Sequence, residues 1–262
     1  MNKGVGSLAT RLAATAASVA FLAIVTVAQV SATGEREKYF DNARKMTSQG
    51  DLKSAASEYR KAIDAAGGDY PEAYNNLGMV FGMMGETKEA ISAFKTALKQ
   101  KEGSYAEAHY NLGIALSLSD DLSGAESEFQ AAARQKPGEF PEAYANLGIT
   151  YARKGENERA ITTFQIAIEQ AEGFYPEAHY NLGIAFFGVG RFEEAIAEFK
   201  DSIEQSEGFP EAHYNLAVAL TKLGRNEDAA EEFEYYLKLA ANPSDREEVR
   251  TRITQLRKVS LR

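Results

Sequence analysis

Few side chains in this 262-residue sequence could carry out chemistry. Its histidines are His109, His179 and His213, and it has no cysteine and no tryptophan. A chain without cysteine has no disulfide, no thiolate metal site and no catalytic thiol. Gly4-Val5-Gly6 lacks the third glycine of a dinucleotide-binding loop, no Walker pattern occurs, and no serine lies in a nucleophile elbow. The sequence therefore predicts no enzyme activity, no cofactor and no metal site.

The charge of the chain also limits its partners. The formal net charge is −9 and the pI is near 5.1, so the basic surface that nucleic acid requires is missing. From Ser244 to the end, six basic residues oppose three acidic ones, so an acidic body is followed by a basic tail. We expect a protein or peptide partner and no nucleic acid.

The first 32 residues differ from the rest of the sequence. They carry charge only at Lys3 and Arg11, and residues 12–30 are uncharged and largely apolar. The small residues Ser31 and Ala32 favour a signal peptide cleaved before Thr33, while the length of the apolar run also allows an uncleaved anchor at 12–30. Either reading predicts an exported, periplasmic or extracytoplasmic body that meets the membrane only through this segment.

A repeat organises the remainder. Leu-Gly pairs recur at intervals of 35, 35, 35 and 34 residues, at Leu77-Gly78, Leu112-Gly113, Leu147-Gly148 and Leu182-Gly183, and then as Leu216-Ala217. With a weaker first copy, this spacing predicts six repeats, at 36–70, 71–105, 106–140, 141–175, 176–209 and 210–243.

Each repeat is predicted to form two helices. The first begins with Pro-Glu-Ala or Ala-Glu-Ala, where proline suits the first helical position and glutamate suits the positive end of the helix dipole. It ends at a glycine such as Gly155, or at Asp120 in one irregular turn. The second helix carries Ala-x3-Phe-x2-Ala, which places a small, a large and a small residue on one stripe.

This pattern, at this period, resembles the tetratricopeptide repeat. The resemblance implies an all-α fold, a right-handed superhelical solenoid of six helix pairs whose inner groove is lined by the first helices. Beyond Pro243, Ser244 and Glu247 have the spacing of a capping box, and apolar residues follow at helical spacing. We therefore predict a C-terminal capping helix over residues 244–262.

The first helices carry a second regular face besides the Leu-Gly face. On it lie aligned rows of glutamate, asparagine and aliphatic residues, which are Glu72, Glu107, Glu142, Glu177 and Glu211; Asn76, Asn111, Asn146, Asn181 and Asn215; and Met79, Ile114, Ile149, Ile184 and Val218, with Tyr110, Tyr180 and Tyr214 beside them. The glutamates also suit the helix dipoles, and the aliphatic residues also suit packing between repeats. The three histidines occupy positions held by tyrosine in other repeats, which indicates a packing role.

The asparagine row suggests a function. A side-chain amide both donates and accepts hydrogen bonds, and the row resembles that in the repeat domain of O-linked N-acetylglucosamine transferases, where inner-groove asparagines hold an extended peptide. We expect a non-enzymatic scaffold that binds a partner peptide or helix in the groove, chiefly through Asn111, Asn146 and Asn181, in envelope complex assembly. A clamp for acidic tails is disfavoured, because only Arg153 and Lys222 point toward the groove.

Two alternatives remain open. The chain could be a structural array that self-associates as a homo-oligomer, or an accessory to a glycan-acting or transferase enzyme with a site around His179 and Glu177.

Overall fold

The structure is a computed structural model that describes residues 33–206, 208–241 and 244–260. The predicted signal peptide or anchor at 1–32 lies outside the described residues, as do residues 261 and 262 of the predicted capping segment. Within the described ranges, none of the helices combines the length and the apolar character that crossing a membrane requires.

The described residues form thirteen α-helices and no strand, which confirms the predicted all-α fold of paired helices. The chain divides between Asn111 and Leu112 into two compact units, which we call the N-terminal body and the C-terminal body and describe separately. The helices are α1 (33–48), α2 (Leu52–Ala65), α3 (Pro71–Met83), α4 (Thr87–Gln100), α5 (Ala106–Leu118), α6 (Leu122–Gln135), α7 (Pro141–Arg153), α8 (Asn157–Gln170), α9 (Pro176–Gly188), α10 (Phe192–Gln205), α11 (Pro210–Lys222), α12 (Asn226–Leu239) and α13 (Arg246–Ser260).

We call α3, α5, α7, α9 and α11 first helices and α4, α6, α8, α10 and α12 second helices. In the C-terminal body each first helix from α7 onward packs on its own second helix and on the second helix of the preceding repeat. The phenylalanine stripe forms the centre of this packing, since Phe129, Phe164, Phe199 and Phe233 are each about 1% exposed. In the N-terminal body α3 packs in the same way between α2 and α4.

Close contact between glycine and phenylalanine explains the Leu-Gly pattern. A Cβ atom on Gly148 would lie 2.7 Å from Phe164, and one on Gly183 would lie 2.6 Å from Phe199. Gly78 has the same relation to Phe94 in the N-terminal body, at 2.6 Å. These distances are too short for a real Cβ, so the first helix approaches the ring of the second helix only because the side chain is absent.

The turns between paired helices require a left-handed backbone conformation. Gly155 has φ 77°, and Asp120, at the irregular turn predicted from the sequence, has φ 63°. Asp120 accepts a hydrogen bond from Arg153 at 2.8 Å, which helps to hold this turn. Aspartate tolerates this conformation better than most residues with a side chain.

Glutamines at the ends of second helices hold the loops between repeats. Gln205 accepts a hydrogen bond from the backbone N–H of Tyr175 at 2.8 Å and donates one to the carbonyl of Gly173, also at 2.8 Å. Gln170 accepts in the same way from the N–H of Phe140. These bonds satisfy backbone groups just before a first helix begins, where no helical partner exists.

Helix α13 lies on the last helix pair of the C-terminal body. Val249 and Ile253 are buried against Ala217, Ala230 and Phe233. Near the start of α13, the hydroxyl of Tyr236 donates to Asp245 at 2.9 Å. Burial, with this carboxylate, raises the pKa of Tyr236 to about 12.

Candidate functional site

The predicted asparagines lie half-buried on the first helices. In the N-terminal body, the Nδ2 of Asn111 donates to the Oδ1 of Asn75 at 3.0 Å, and the Nδ2 of Asn75 donates to Asn76 at 3.4 Å. Asn75, which the sequence analysis did not single out, is buried. The amides of α3 and α5 are thus joined in a chain of side-chain hydrogen bonds.

In the C-terminal body the asparagines bind the backbone of their own helices. The Nδ2 atoms of Asn146, Asn181 and Asn215 donate to the carbonyls of the residues four positions earlier, at 3.0, 2.8 and 3.1 Å. Asn215 also donates to the hydroxyl of Tyr180 at 2.9 Å. One nitrogen contact therefore fixes the orientation of each amide on its helix.

The oxygens of two of these amides are available to a ligand. Among the described residues, no donor bonds to the Oδ1 of Asn181 or of Asn215. Asn215 donates to Tyr180 of the preceding repeat. One repeat earlier, the residue equivalent to Tyr180 is Ala145, which has no polar side-chain atom that could bond to Asn181. Asn181 therefore offers both an acceptor and a second N–H.

The aliphatic row is partly exposed. Met79 in the N-terminal body is 45% exposed and Ile184 in the C-terminal body is 41% exposed, whereas Ile114, Ile149 and Val218 are half-buried. Helix α7 contacts α9, and α9 contacts α11, so Ile149, Ile184 and Val218 lie on neighbouring helices. We call Asn146, Asn181 and Asn215, together with Ile149, Ile184 and Val218, the asparagine face of the C-terminal body.

The tyrosines beside this face are packing residues with a polar end. The ring of Tyr180 lies 4.7 Å from that of Phe209 and 6.0 Å from that of Phe199, and burial raises its pKa. Tyr214 makes edge contacts with Phe233 and Tyr236. Tyr110, in the N-terminal body, is half-buried.

The glutamate row is mostly exposed. Glu107, Glu142, Glu177 and Glu211 are exposed in the first turns of their helices. Glu72 is half-buried; burial alone would raise its pKa, but the ion pair with Lys101 at 2.9 Å outweighs burial and lowers it. These positions suit the helix dipoles.

Two of the three histidines, His179 and His213, lie in the interior of the repeats, and His109 is half-buried. His179 and His213 are buried, and their Nδ1 atoms lie 2.7 and 2.6 Å from Glu198 and Glu232 on the second helix of the same repeat. The Nε2 of His179 lies 3.2 Å from the carbonyl oxygen of Gly173. Each glutamate follows its histidine by nineteen residues, a regularity that the sequence analysis missed.

Among the residues that the structure describes, one group of donors could hold a metal ion. His179, Glu198 and Asp201 bring ligand atoms within 4.8 Å of one another. Both nitrogens of His179 are already engaged, by Glu198 and by Gly173, so a metal would have to displace one of these contacts. Glu177, named in the enzymatic alternative, is exposed and is not part of this group.

Comparison with known proteins decides the family. The model of the tetratricopeptide repeat matches residues 77–140, 145–208 and 180–246, which is more than half of the chain. The chain belongs to the tetratricopeptide repeat family. No curated protein matches it in sequence.

Solved structures of other tetratricopeptide repeat (TPR) proteins share the fold. MamA is 29% identical, with a TM-score of 0.59, over 66% of this chain and 92% of its own. YrrB, described as a TPR protein with an unusual peptide-binding site, is 22% identical, with a TM-score of 0.61, over 78% of this chain and 99% of its own. PilF of Pseudomonas aeruginosa is 15% identical, with a TM-score of 0.72, over 84% of this chain and 99% of its own.

Proposed function

We propose that this TPR protein is a non-enzymatic scaffold whose asparagine face binds a segment of a partner protein. The TPR family typically serves protein–protein interaction, and the chemistry of the asparagine face supports the finer statement. YrrB and PilF are less than 25% identical to the chain and support the fold alone, so the proposal depends on the residues of the face.

The observation that carries the proposal is the hydrogen bonding of the asparagine side-chain amides. Asn181 and Asn215 are each anchored through nitrogen to their own helix, while their oxygens accept no hydrogen bond from a described residue. An acceptor held in place loses little side-chain entropy when it binds, so preorganisation favours it. Backbone N–H groups of a bound segment are suitable donors, since every residue except proline carries one.

Apolar contact supplies the rest of the affinity. Ile184, three residues after Asn181 on α9, is 41% exposed, and Ile149 and Val218 lie at equivalent positions of neighbouring repeats. Burial of apolar surface stabilises a complex by roughly 25 cal/mol per Å² before the costs of association. The face therefore combines apolar contact with backbone recognition and has little preference for a particular sequence.

The test begins with short random peptides displayed on phage and selected on the full-length chain. The tightest peptide is titrated against the wild type and against a variant with Asn146, Asn181 and Asn215 all changed to alanine. Each lost hydrogen bond is worth about 0.5–1.5 kcal/mol, so the triple change should weaken binding roughly tenfold to a thousandfold. Thr162→Ala is the matched control, because it removes an exposed side-chain bond of the same type on second helix α8.

Circular dichroism must confirm that the variants stay folded. Equal affinities for the wild type and the triple variant would refute the proposal, and so would an equal loss in Thr162→Ala. A selected peptide without charged residues should bind with only mild salt dependence, because the face itself carries no charged side chain.

The proposal also includes export. The charge and apolar pattern of residues 1–32 supports a body that works outside the cytoplasm, with a partner in envelope complex assembly. Cell fractionation with a C-terminal epitope tag tests this part, and recovery of the chain only in the cytoplasm would refute it.

A further inference from the structure

A cavity of about 390 Å³ opens between α11, α12 and α13, at the C-terminal end of the asparagine face. Its apolar wall includes Val218, Phe233, Leu256 and Val259. Val218 belongs to both the face and the cavity, so a segment bound on the face could extend into it. The volume is within the usual range for small ligand pockets, which hold an apolar group and a few polar contacts.

The apolar wall is open to an incoming side chain. Phe233 is buried and forms the floor, whereas Val259 is 61% exposed and Leu256 is half-buried. Val259 lies in the last turn of α13, and therefore this wall exists only where α13 packs on the last repeat. Covering these side chains with an apolar group would remove them from water.

Two cations lie at the same cavity. Lys222 makes no hydrogen bond or ion pair with any residue in the described part of the chain. Arg252 donates through one nitrogen to Glu248 at 2.6 Å, and its guanidinium has other N–H groups to offer. The cavity thus combines an apolar wall with two cationic side chains.

Comparison with an equivalent residue explains why Lys222 is unpaired. Arg153 occupies the same position two repeats earlier, where it donates to Ser117 and Asp120 of the preceding repeat. For Lys222 the corresponding positions are Phe187 and Gly190, which have no acceptor in their side chains. The repeat register therefore leaves this ammonium group available to an external anion.

We propose that this cavity binds an apolar side chain of the partner peptide together with an adjacent carboxylate, and so sets the direction in which the peptide lies on the face. This inference rests on the proposed function, because the same peptide occupies both sites. Charge complementarity selects the occupant: a carboxylate beside the apolar residue would lie near Lys222 and Arg252. The acidic end of the peptide then points toward α13.

The experiment uses the full-length chain and the peptides selected by phage display. The selected peptides should share an aspartate or glutamate within two positions of a large apolar residue. Fluorescence anisotropy of the tightest peptide is then measured with wild type, Lys222→Glu and Val259→Ser. Both substituted residues are exposed, so the variants should fold.

We expect Lys222→Glu to weaken binding about fivefold or more and Val259→Ser to weaken it about two- to fivefold. Arg250→Glu is the matched control, because it also replaces a cation by glutamate, but at a position on α13 that does not line the cavity. It should change affinity less than about twofold. Replacing the acidic peptide residue by its amide should weaken binding to wild type and strengthen binding to Lys222→Glu, because it removes the repulsion between the two carboxylates.

Several results would overturn the inference. Selection of peptides without acidic residues would do so, as would equal affinity of wild type and Lys222→Glu. Displacement of the peptide by laurate, with no acidic motif selected, would assign the cavity to a lipid instead.

The triple asparagine variant separates the two proposals. If it loses the peptide while the cavity variants do not, the scaffold proposal stands and the cavity inference fails. If only the cavity variants lose the peptide, the asparagine face is not the binding surface, and the cavity binds the peptide by itself.

Discussion

Alanine substitution at two glycines of α3 separates close packing from helix propensity. A Cβ on Gly78 would lie 2.6 Å from the ring of Phe94, whereas a Cβ on Gly82 would meet nothing within 4 Å. Both glycines lie inside the same helix, and neither has positive φ. Alanine at either site therefore raises the intrinsic stability of the helix. Only at Gly78 does it also disturb packing.

The two substitutions should change the free energy of unfolding in opposite directions. At Gly82, alanine should raise the free energy of unfolding by about 0.5–1 kcal/mol, because glycine is the poorer helix former. At Gly78 the same gain is offset by overpacking, which costs about 1–3 kcal/mol, since Phe94 is only 3% exposed and has little room to move. Ala217 occupies the equivalent position in the last repeat, so we expect the lower half of this range.

Urea unfolding followed by far-ultraviolet circular dichroism measures the difference. The midpoint should rise for Gly82→Ala and fall for Gly78→Ala. Since repeat proteins can unfold in steps, hydrogen exchange of the α4 amides should show that the loss at Gly78 is local. A similar rise in both midpoints would refute the assignment of the packing face of the first helices.

Three further predictions concern the ends and the interior of the array. Ile253→Ala should lower the free energy of unfolding by about 2–5 kcal/mol, because it leaves a void against the last repeat, whereas exposed Thr254→Ala should change it by less than about 0.5 kcal/mol; urea midpoints of both variants test this. Burial lowers the pKa of His179, but the hydrogen bond to Glu198 outweighs burial, so the pKa is raised in the folded state. The stabilisation by this pair is therefore complete below about pH 6.5 and is lost as the pH rises through the folded-state pKa. The midpoint deficit of His179→Gln relative to wild type should therefore shrink between about pH 5.5 and about pH 8.5, and a constant deficit would contradict the assignment. If the leader is cleaved, the intact mass of chain recovered from the envelope should correspond to a start at Thr33, and a species that keeps residues 1–32 would indicate an anchor.

The sequence predicted the fold because its pattern reflects packing. The Leu-Gly pair is repeated because glycine lets a first helix approach the phenylalanine of the second helix closely, as at Gly148 and Phe164. The turn at Asp120 was predicted from its place in the register and has the expected left-handed backbone.

The details of the candidate site were less predictable. The sequence placed Asn111 and Asn181 in one row, but their hydrogen-bond partners depend on the residue that the preceding repeat presents. Asn75 accepts from Asn111, whereas Ala145 offers Asn181 nothing. The cavity beside Val259 depends on how α13 docks, and apolar spacing alone does not determine this.

The most direct test of the scaffold proposal is a double-mutant cycle between Asn181 and the backbone of a selected peptide. Each backbone N–H of the peptide is replaced in turn by N-methyl, and each peptide is titrated against wild type and Asn181→Ala. If Asn181 accepts a backbone hydrogen bond, one N-methyl position should weaken binding to wild type by about two- to tenfold and have no effect on the variant. If every N-methyl position weakens binding to both proteins equally, Asn181 does not hold the peptide backbone and the proposed mode of binding is wrong.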